Sequence, residues 1–226
     1  MQKSRGGISS EYASLAILCG GRSTRLGTDK GLYRPCGEES LVCRSCRILG
    51  ASHNEILIIV KNEAQAGLYW AELEAMLSDK ITGPVRIVAD STLSSAKENA
   101  AISGVITALS SSVHPLVSVV AVDQVALRTY HLDKLRSAIS GRKELAATYY
   151  DINPADPMPF PCVWRREAFS KLKPFAAEGM LSVKRALTRL KAVCLPAHRY
   201  RSRLMVNGNT RAALAMYIRQ DASKWA

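Results

Sequence analysis

Four short apolar runs in the first half of the chain constrain its fold more than any other feature. Ser14–Cys19, Ile56–Val60, Val85–Val88 and Leu116–Val122 are rich in Val, Ile and Leu and are continuous rather than alternating. A strand with one wet face alternates apolar and polar residues. A short unbroken run fits a strand covered on both faces, as in a parallel sheet. Between the runs the pattern turns helical. Glu39–Leu49 can place Leu41, Val42, Cys46 and Leu49 on one face, and Glu63–Leu77 is rich in good helix formers. Ala96–Leu109 and Tyr130–Ile139 complete the series. Strand alternating with helix predicts βαβ units, hence a three-layer α/β/α protein with a mostly parallel central sheet.

The second half is less regular. Leu145–Tyr150, Cys162–Trp164, Lys191–Leu195 and Leu204–Val206 read as strands, and Arg166–Leu172, Leu181–Leu190 and Thr210–Arg219 as helices. Asn153–Pro161 carries four prolines in nine residues and reads as a loop. No linker divides the chain. Residues 1–10 are expected to be a loose tail and residues 11–226 a single domain.

Composition narrows the partners. The 226 residues include 31 Lys and Arg against 19 Asp and Glu, a net charge of +12, which favours anionic ligands. No run approaches the roughly 18 apolar residues of a membrane span, and the basic start is followed by polar residues rather than the apolar core of a secretory signal. A chain with 47% hydrophobic residues has no need of disulfides, so its six cysteines are expected to be reduced thiols in a cytoplasmic protein. Cys43 and Cys46 have C-x-x-C spacing, but no second pair completes a zinc site and the spacing suits one helix face. The four histidines pair at no catalytic spacing, and no Gly-x-Ser-x-Gly elbow occurs.

The chemistry concentrates after the first strand, in Cys19-Gly-Gly-Arg-Ser-Thr-Arg-Leu-Gly-Thr-Asp-Lys-Gly31. Glycines let backbone approach a phosphate, and N–H groups, Arg and Lys hold negative charge. Open α/β sheets bind ligands at the carboxyl ends of their strands, where this loop falls. It is neither a Walker A loop nor the G-x-G-x-x-G fingerprint.

Leu18 to Leu32 resembles the L-A-G-G-x-S-x-R-M-G-x-D-K signature of MobA-type nucleotidyltransferases, whose best-known members are molybdenum cofactor guanylyltransferases. The resemblance implies a Rossmann-like nucleotidyltransferase fold. It also implies transfer of GMP from GTP to molybdopterin, with release of pyrophosphate and use of Mg²⁺. Arg25 and Lys30 would hold the triphosphate. Leu18, Cys19, Gly20 and Gly21 would lie beside the nucleoside, and Asp29 would brace the loop by pairing with a cation. Asp90, at the end of Val88-Ala-Asp90, would contact the nucleoside, although a turn or helix-cap role competes. Asp123, directly after the longest apolar run, is the candidate catalytic and metal-binding carboxylate, set to hold Mg²⁺ against phosphates. Asn207 and Asn209, in Asn-Gly-Asn-Thr210, match the first part of a N-x-N-T-P motif and would lie near the acceptor phosphate.

The chain departs from the family in three places. Gln124-Val125 replaces the usual x-Pro after the aspartate, Arg211 replaces the last proline, and Asn99–Gly104 keeps only the final glycine of a G-P-L-A-G loop. These departures leave a CTP- or sugar-phosphate-using transferase, or a non-catalytic nucleotide- or nucleic-acid-binding module, as alternatives. The basic run His198–Arg203 suits either a solvated loop or the attraction of an anionic substrate. The expected partners are GTP and molybdopterin, with no membrane and no nucleic acid, and a monomer is expected.

Overall fold

A computed structural model describes residues 12–20, 28–35, 39–74, 83–90, 101–179, 181–197, 200, 214 and 218. Among the described residues, seven strands form one sheet in the order β3-β2-β1-β4-β6-β5-β7. They are β1 (Ala13–Leu18), β2 (Glu55–Val60), β3 (Val85–Ala89), β4 (Leu116–Ala121), β5 (Ala146–Tyr150), β6 (Pro157–Arg165) and β7 (Val193–Pro196). The pairs β1–β2, β1–β4, β2–β3 and β5–β7 are parallel, and β6 runs antiparallel to both β4 and β5. The carboxyl ends of all strands but β6 therefore lie along one edge.

The runs of β1, β2 and β4 are covered on both faces, as the pattern requires, whereas β3 lies at the sheet edge, is only partly buried and leaves Arg86 exposed. Leu15, Ile17, Ile56, Ile58 and Val120 pack with residues of α1 (Leu41–Gly50), α2 (Glu63–Glu74) and α4 (Thr129–Ile139). Their strand neighbours Ala16, Leu57, Ile59, Val117 and Val119 face the other way. They pack against α3 (Ala101–Ser111), α5 (Phe169–Ala177) and α6 (Val183–Arg189). That gives helix, sheet and helix in three layers. Ser40 starts α1 by accepting the Cys43 N–H at 3.4 Å, the N-cap role expected of a serine.

Two expectations need correction. The proline-rich segment is not all loop, because Pro157–Pro161 forms the first half of β6. A proline lacks the N–H a ladder needs and survives only where one side is unpaired. That condition holds here: pairing with β4 spans only Leu116↔Arg165 to Val119↔Cys162, and the β5 register shifts between Thr148 and Tyr150. The Thr148 hydroxyl bridges the irregular stretch, lying 2.7 Å from the Met158 carbonyl and 3.1 Å from that of Pro161. The helix expected from Arg166 begins instead as a 3₁₀ turn, Arg166–Ala168. The expected strand Leu204–Val206 and most of the closing helix lie outside the described residues, though Leu214 and Ile218 are helical and Leu214 is buried.

Candidate active site

The sequence β1, β2, β3 runs outward on one side of β1, and the chain then returns to place β4 on the other side. The β1/β4 boundary is a topological switch point, where open α/β sheets form their ligand crevice. The two segments that leave this boundary carry opposite charges. Lys30 follows β1, Asp123 follows β4, and Lys30 Nζ donates to Asp123 Oδ2 at 2.8 Å. Both side chains are about one-fifth exposed, at 21% and 17%, so the pair sits in a mouth rather than in the core.

The backbone beneath this pair is fixed. Val122 N–H donates to the Leu18 carbonyl at 3.2 Å, and Cys19 N–H to the Ile59 carbonyl at 2.8 Å. Gln124, where the chain departs from the resembled motif, closes the turn after β4. Its Oε1 accepts the Ala121 N–H at 3.2 Å, beyond the point where β6 stops pairing with β4. Burial pushes the Cys19 thiol well above its ordinary range, and the carboxylates of Asp29 and Asp123 add to that. Cys19 is thus a neutral wall of the crevice and not a nucleophile.

Asp29 braces the loop, and among the described residues it is held by neutral donors rather than by the cation expected. Its Oδ1 accepts the Tyr69 hydroxyl at 2.6 Å and the Gly31 N–H at 3.0 Å, and its Oδ2 accepts the Gln65 amide. The donors are neutral because α2 presents a buried phenol and an amide here. Gly31 has no room for a side chain: a Cβ there would lie 2.0 Å from the Tyr69 hydroxyl. Gln65 and Tyr69 were invisible to motif reading. Their only sequence signal is an i, i+4 spacing that puts both on one face of the helix.

Asp90 stands at the end of β3, with its N–H on the Val60 carbonyl at 2.8 Å. Its two carboxylate oxygens accept the Ser103 and Thr107 hydroxyls of α3, the latter at 2.7 Å. These hydroxyls, one turn apart, are a second pair that motif reading missed. The structure brings Leu18, Cys19, Gly20, Lys30, Asp90 and Asp123 to the same edge of the sheet. Gly21, Arg25, Asn207 and Asn209 lie outside the described residues.

Among the described residues Asp123 offers a hard oxygen donor at the mouth, and no cluster of three His, Cys, Asp or Glu residues occurs. This donor set does not make a closed protein cage. It fits Mg²⁺, which is commonly held by one or two carboxylates with substrate phosphates supplying further ligands. It does not fit a structural zinc site.

Residues 15–198 match the model of the MobA-like NTP transferase domain. The chain belongs to the MobA-like NTP transferase family. It is therefore a nucleotidyltransferase by family. It is 30% identical over 176 residues to a probable molybdenum cofactor guanylyltransferase of Chloroflexus aggregans, covering 77% of this chain and 76% of that one. A protein of the same name from Methanothermobacter thermautotrophicus is 34% identical over 77 residues, but that match spans only 33% of this chain and 39% of the relative's length. Among solved structures, molybdopterin-guanine dinucleotide biosynthesis protein A from Archaeoglobus fulgidus superposes with a TM-score of 0.71 at 19% identity. It covers 93% of this chain and 99% of its own. That likeness concerns the fold. Among the described residues no helix is long and apolar enough to cross a membrane.

Proposed function

We propose that this MobA-like NTP transferase moves GMP from GTP to the phosphate of molybdopterin, releasing pyrophosphate, with Mg²⁺. The observation that carries the reading is the Lys30–Asp123 pair across the switch point, set within a family whose matched relatives are named for this reaction. An acceptor phosphate oxygen attacks the α-phosphorus of GTP. The bond to the β-phosphate breaks, and its electron pair leaves with pyrophosphate. The attacking oxygen is already anionic, so no general base is needed, and catalysis reduces to positioning and neutralising charge.

In this reading Lys30 and Arg25 hold the triphosphate. A lysine ammonium has three N–H donors, so Lys30 can serve Asp123 and a phosphate oxygen together. Asp123 would hold Mg²⁺ against the triphosphate, where the ion supplies neutralisation of the departing pyrophosphate. Leu18, Cys19, Gly20 and Gly21 line the nucleoside through their backbone. Asp90 orients the nucleoside, its carboxylate steadied by Ser103 and Thr107. Asn207 and Asn209 meet the acceptor phosphate. The protein acts in the cytoplasm as one domain over residues 11–226.

Calorimetric titration with GTP, CTP, ATP and UTP, each with and without Mg²⁺ at fixed salt, tests the reading. Mg²⁺-dependent preference for GTP is expected. Preference for CTP would keep the chemistry and change the product, whereas binding of no nucleotide would remove the enzyme reading.

A further inference from the structure

We propose that Gln65 and Tyr69 are positioning residues for the nucleotide loop: from one face of α2 they clamp Asp29, and through it set where the Lys30 ammonium stands against Asp123. The inference rests on the reading of this crevice as a triphosphate site, and it assigns a task to two side chains outside the loop signature.

Gln65 uses both ends of its amide. Its Oε1 accepts the Lys61 N–H at 2.5 Å, and its Nε2 donates to the Cys19 carbonyl at 3.4 Å and to Asp29 Oδ2. The ends of β1 and β2 and the returning arm of the glycine loop thus meet on one side chain. Only this orientation of the amide pairs an acceptor with the N–H and donors with the two oxygens.

Tyr69 works from below. It is fully buried, and its hydroxyl donates to Asp29 Oδ1 at 2.6 Å. Burial raises the phenol far above its ordinary range, so it remains an O–H donor at any working pH. The loop presses onto it at Gly31, where even a methyl group would collide with the ring. Lys30 lies between these two anchored residues. Asp29 is held by α2, and the Gly31 N–H folds back onto the Asp29 carboxylate, which closes a local turn around Lys30. With its backbone enclosed, the lysine reaches Asp123 by its own side-chain rotamers alone. A misplacement of about 1 Å at such a group is enough to lose much of its effect.

Tyr69→Phe keeps the buried ring and removes the hydroxyl. Gln65→Met keeps the length and removes the amide. Leu68→Ala, on the exposed side of the same helix, serves as the control. Two readouts are needed. The first is nucleotide-free: the rate at which acetic anhydride modifies Lys30, followed by peptide mass spectrometry. The second is the dissociation constant of GTP with Mg²⁺, with KM and kcat measured against each substrate. Lys30 labelling is expected to rise several-fold in Tyr69→Phe and Gln65→Met, and GTP affinity to fall about tenfold, with KM for the acceptor unchanged and the control like wild type. Wild-type labelling of Lys30 in both folded variants would overturn the clamp, whatever nucleotide binding shows. Faster labelling in a protein whose wild type binds no nucleotide would uphold the clamp and remove the triphosphate reading instead. Should Tyr69→Phe fail to fold, Gln65→Met decides alone.

Discussion

At the amino end of the sheet, Glu55 is 3% exposed and its carboxylate accepts Ser14 at 2.6 Å and Arg86 at 2.8 Å. At the carboxyl end, Asp123 sits in a mouth and holds one lysine. Both ends collect polar groups where strands begin or stop, yet they are built differently. The amino end closes its polar groups on one another. Ser14 also bonds Ser112 at 2.8 Å, and His53 is held between the Leu49 carbonyl at 2.8 Å and the Ser118 hydroxyl at 2.9 Å. Buried polar groups must be satisfied in this way. At the carboxyl end Asp90 is likewise satisfied by Ser103 and Thr107, but Lys30 and Asp123, though paired, stay about one-fifth exposed at the mouth. The difference teaches that a charged pair at a strand end marks a candidate site when it stays open to solvent rather than sealed in the core.

The largest expected effect separates the two ends outright. Asp123→Ala should lower turnover by at least about 10³-fold and leave the thermal midpoint within a few degrees, as measured by steady-state assay and calorimetry. Retained turnover would end the metal-holding role. The reciprocal change is Glu55→Gln. It disrupts the Ser14 and Arg86 contacts in a nearly closed site and should cost about 2 kcal/mol, a figure kept low because Arg86 is itself 47% exposed. Denaturant melts should show that loss while nucleotide affinity stays the same. A parallel loss of affinity would mean that the ends are coupled through the sheet.

A smaller effect depends on pH. Burial, and then the nearby Arg136, lower the His53 pKa to about 3. The unfolded chain takes up a proton near pH 6.5, whereas the folded chain does not until about 3. Stability should therefore fall as pH drops through this window, by up to about 1.4 kcal/mol per pH unit from this group. His53→Gln should flatten that part of the stability profile relative to wild type. An unchanged slope would show that His53 is not held neutral.

Much of this contrast was legible in the sequence, for identifiable reasons. Continuous Val/Ile/Leu runs are readable as doubly covered strands because both faces must be apolar, and β1, β2 and β4 bear this out; β3 follows its run closely but is a partly buried edge strand, which local sequence does not reveal. Asp123 stands out because it directly follows such a run, and Asp90, one residue beyond another, through the resemblance to the family. The proline strand was not legible, since local propensity says nothing about where a neighbouring strand stops pairing. The support for the site was also hidden. Gln65 with Tyr69, and Ser103 with Thr107, act by reaching across to another element, and an i, i+4 spacing on a helix does not say what the helix faces. Asp29 shows the same limit: its bracing role was readable from the loop, its neutral partners were not.

The smallest expected effect concerns the layer beneath the carboxyl end. Cys43 and Cys46 have the spacing of a metal or redox pair, but both are 1% exposed on α1 and pack within the core. Burial, and then the neighbouring Cys43, push the Cys46 thiol well above its ordinary range, so it is protonated and behaves as a small apolar group. The same cluster reaches Cys19 in the crevice wall, whose thiol is raised in part by Cys46. The polar mouth thus rests on an inert thiol floor. Cys46→Ala should cost about 1 kcal/mol of stability through lost packing, and a zinc-selective chelator should leave the melting curve of the wild type unmoved. A chelator-induced drop in the midpoint would show that these thiols bind metal. It would also mean that the carboxyl end, like the amino end, depends on a closed polar cluster for its stability.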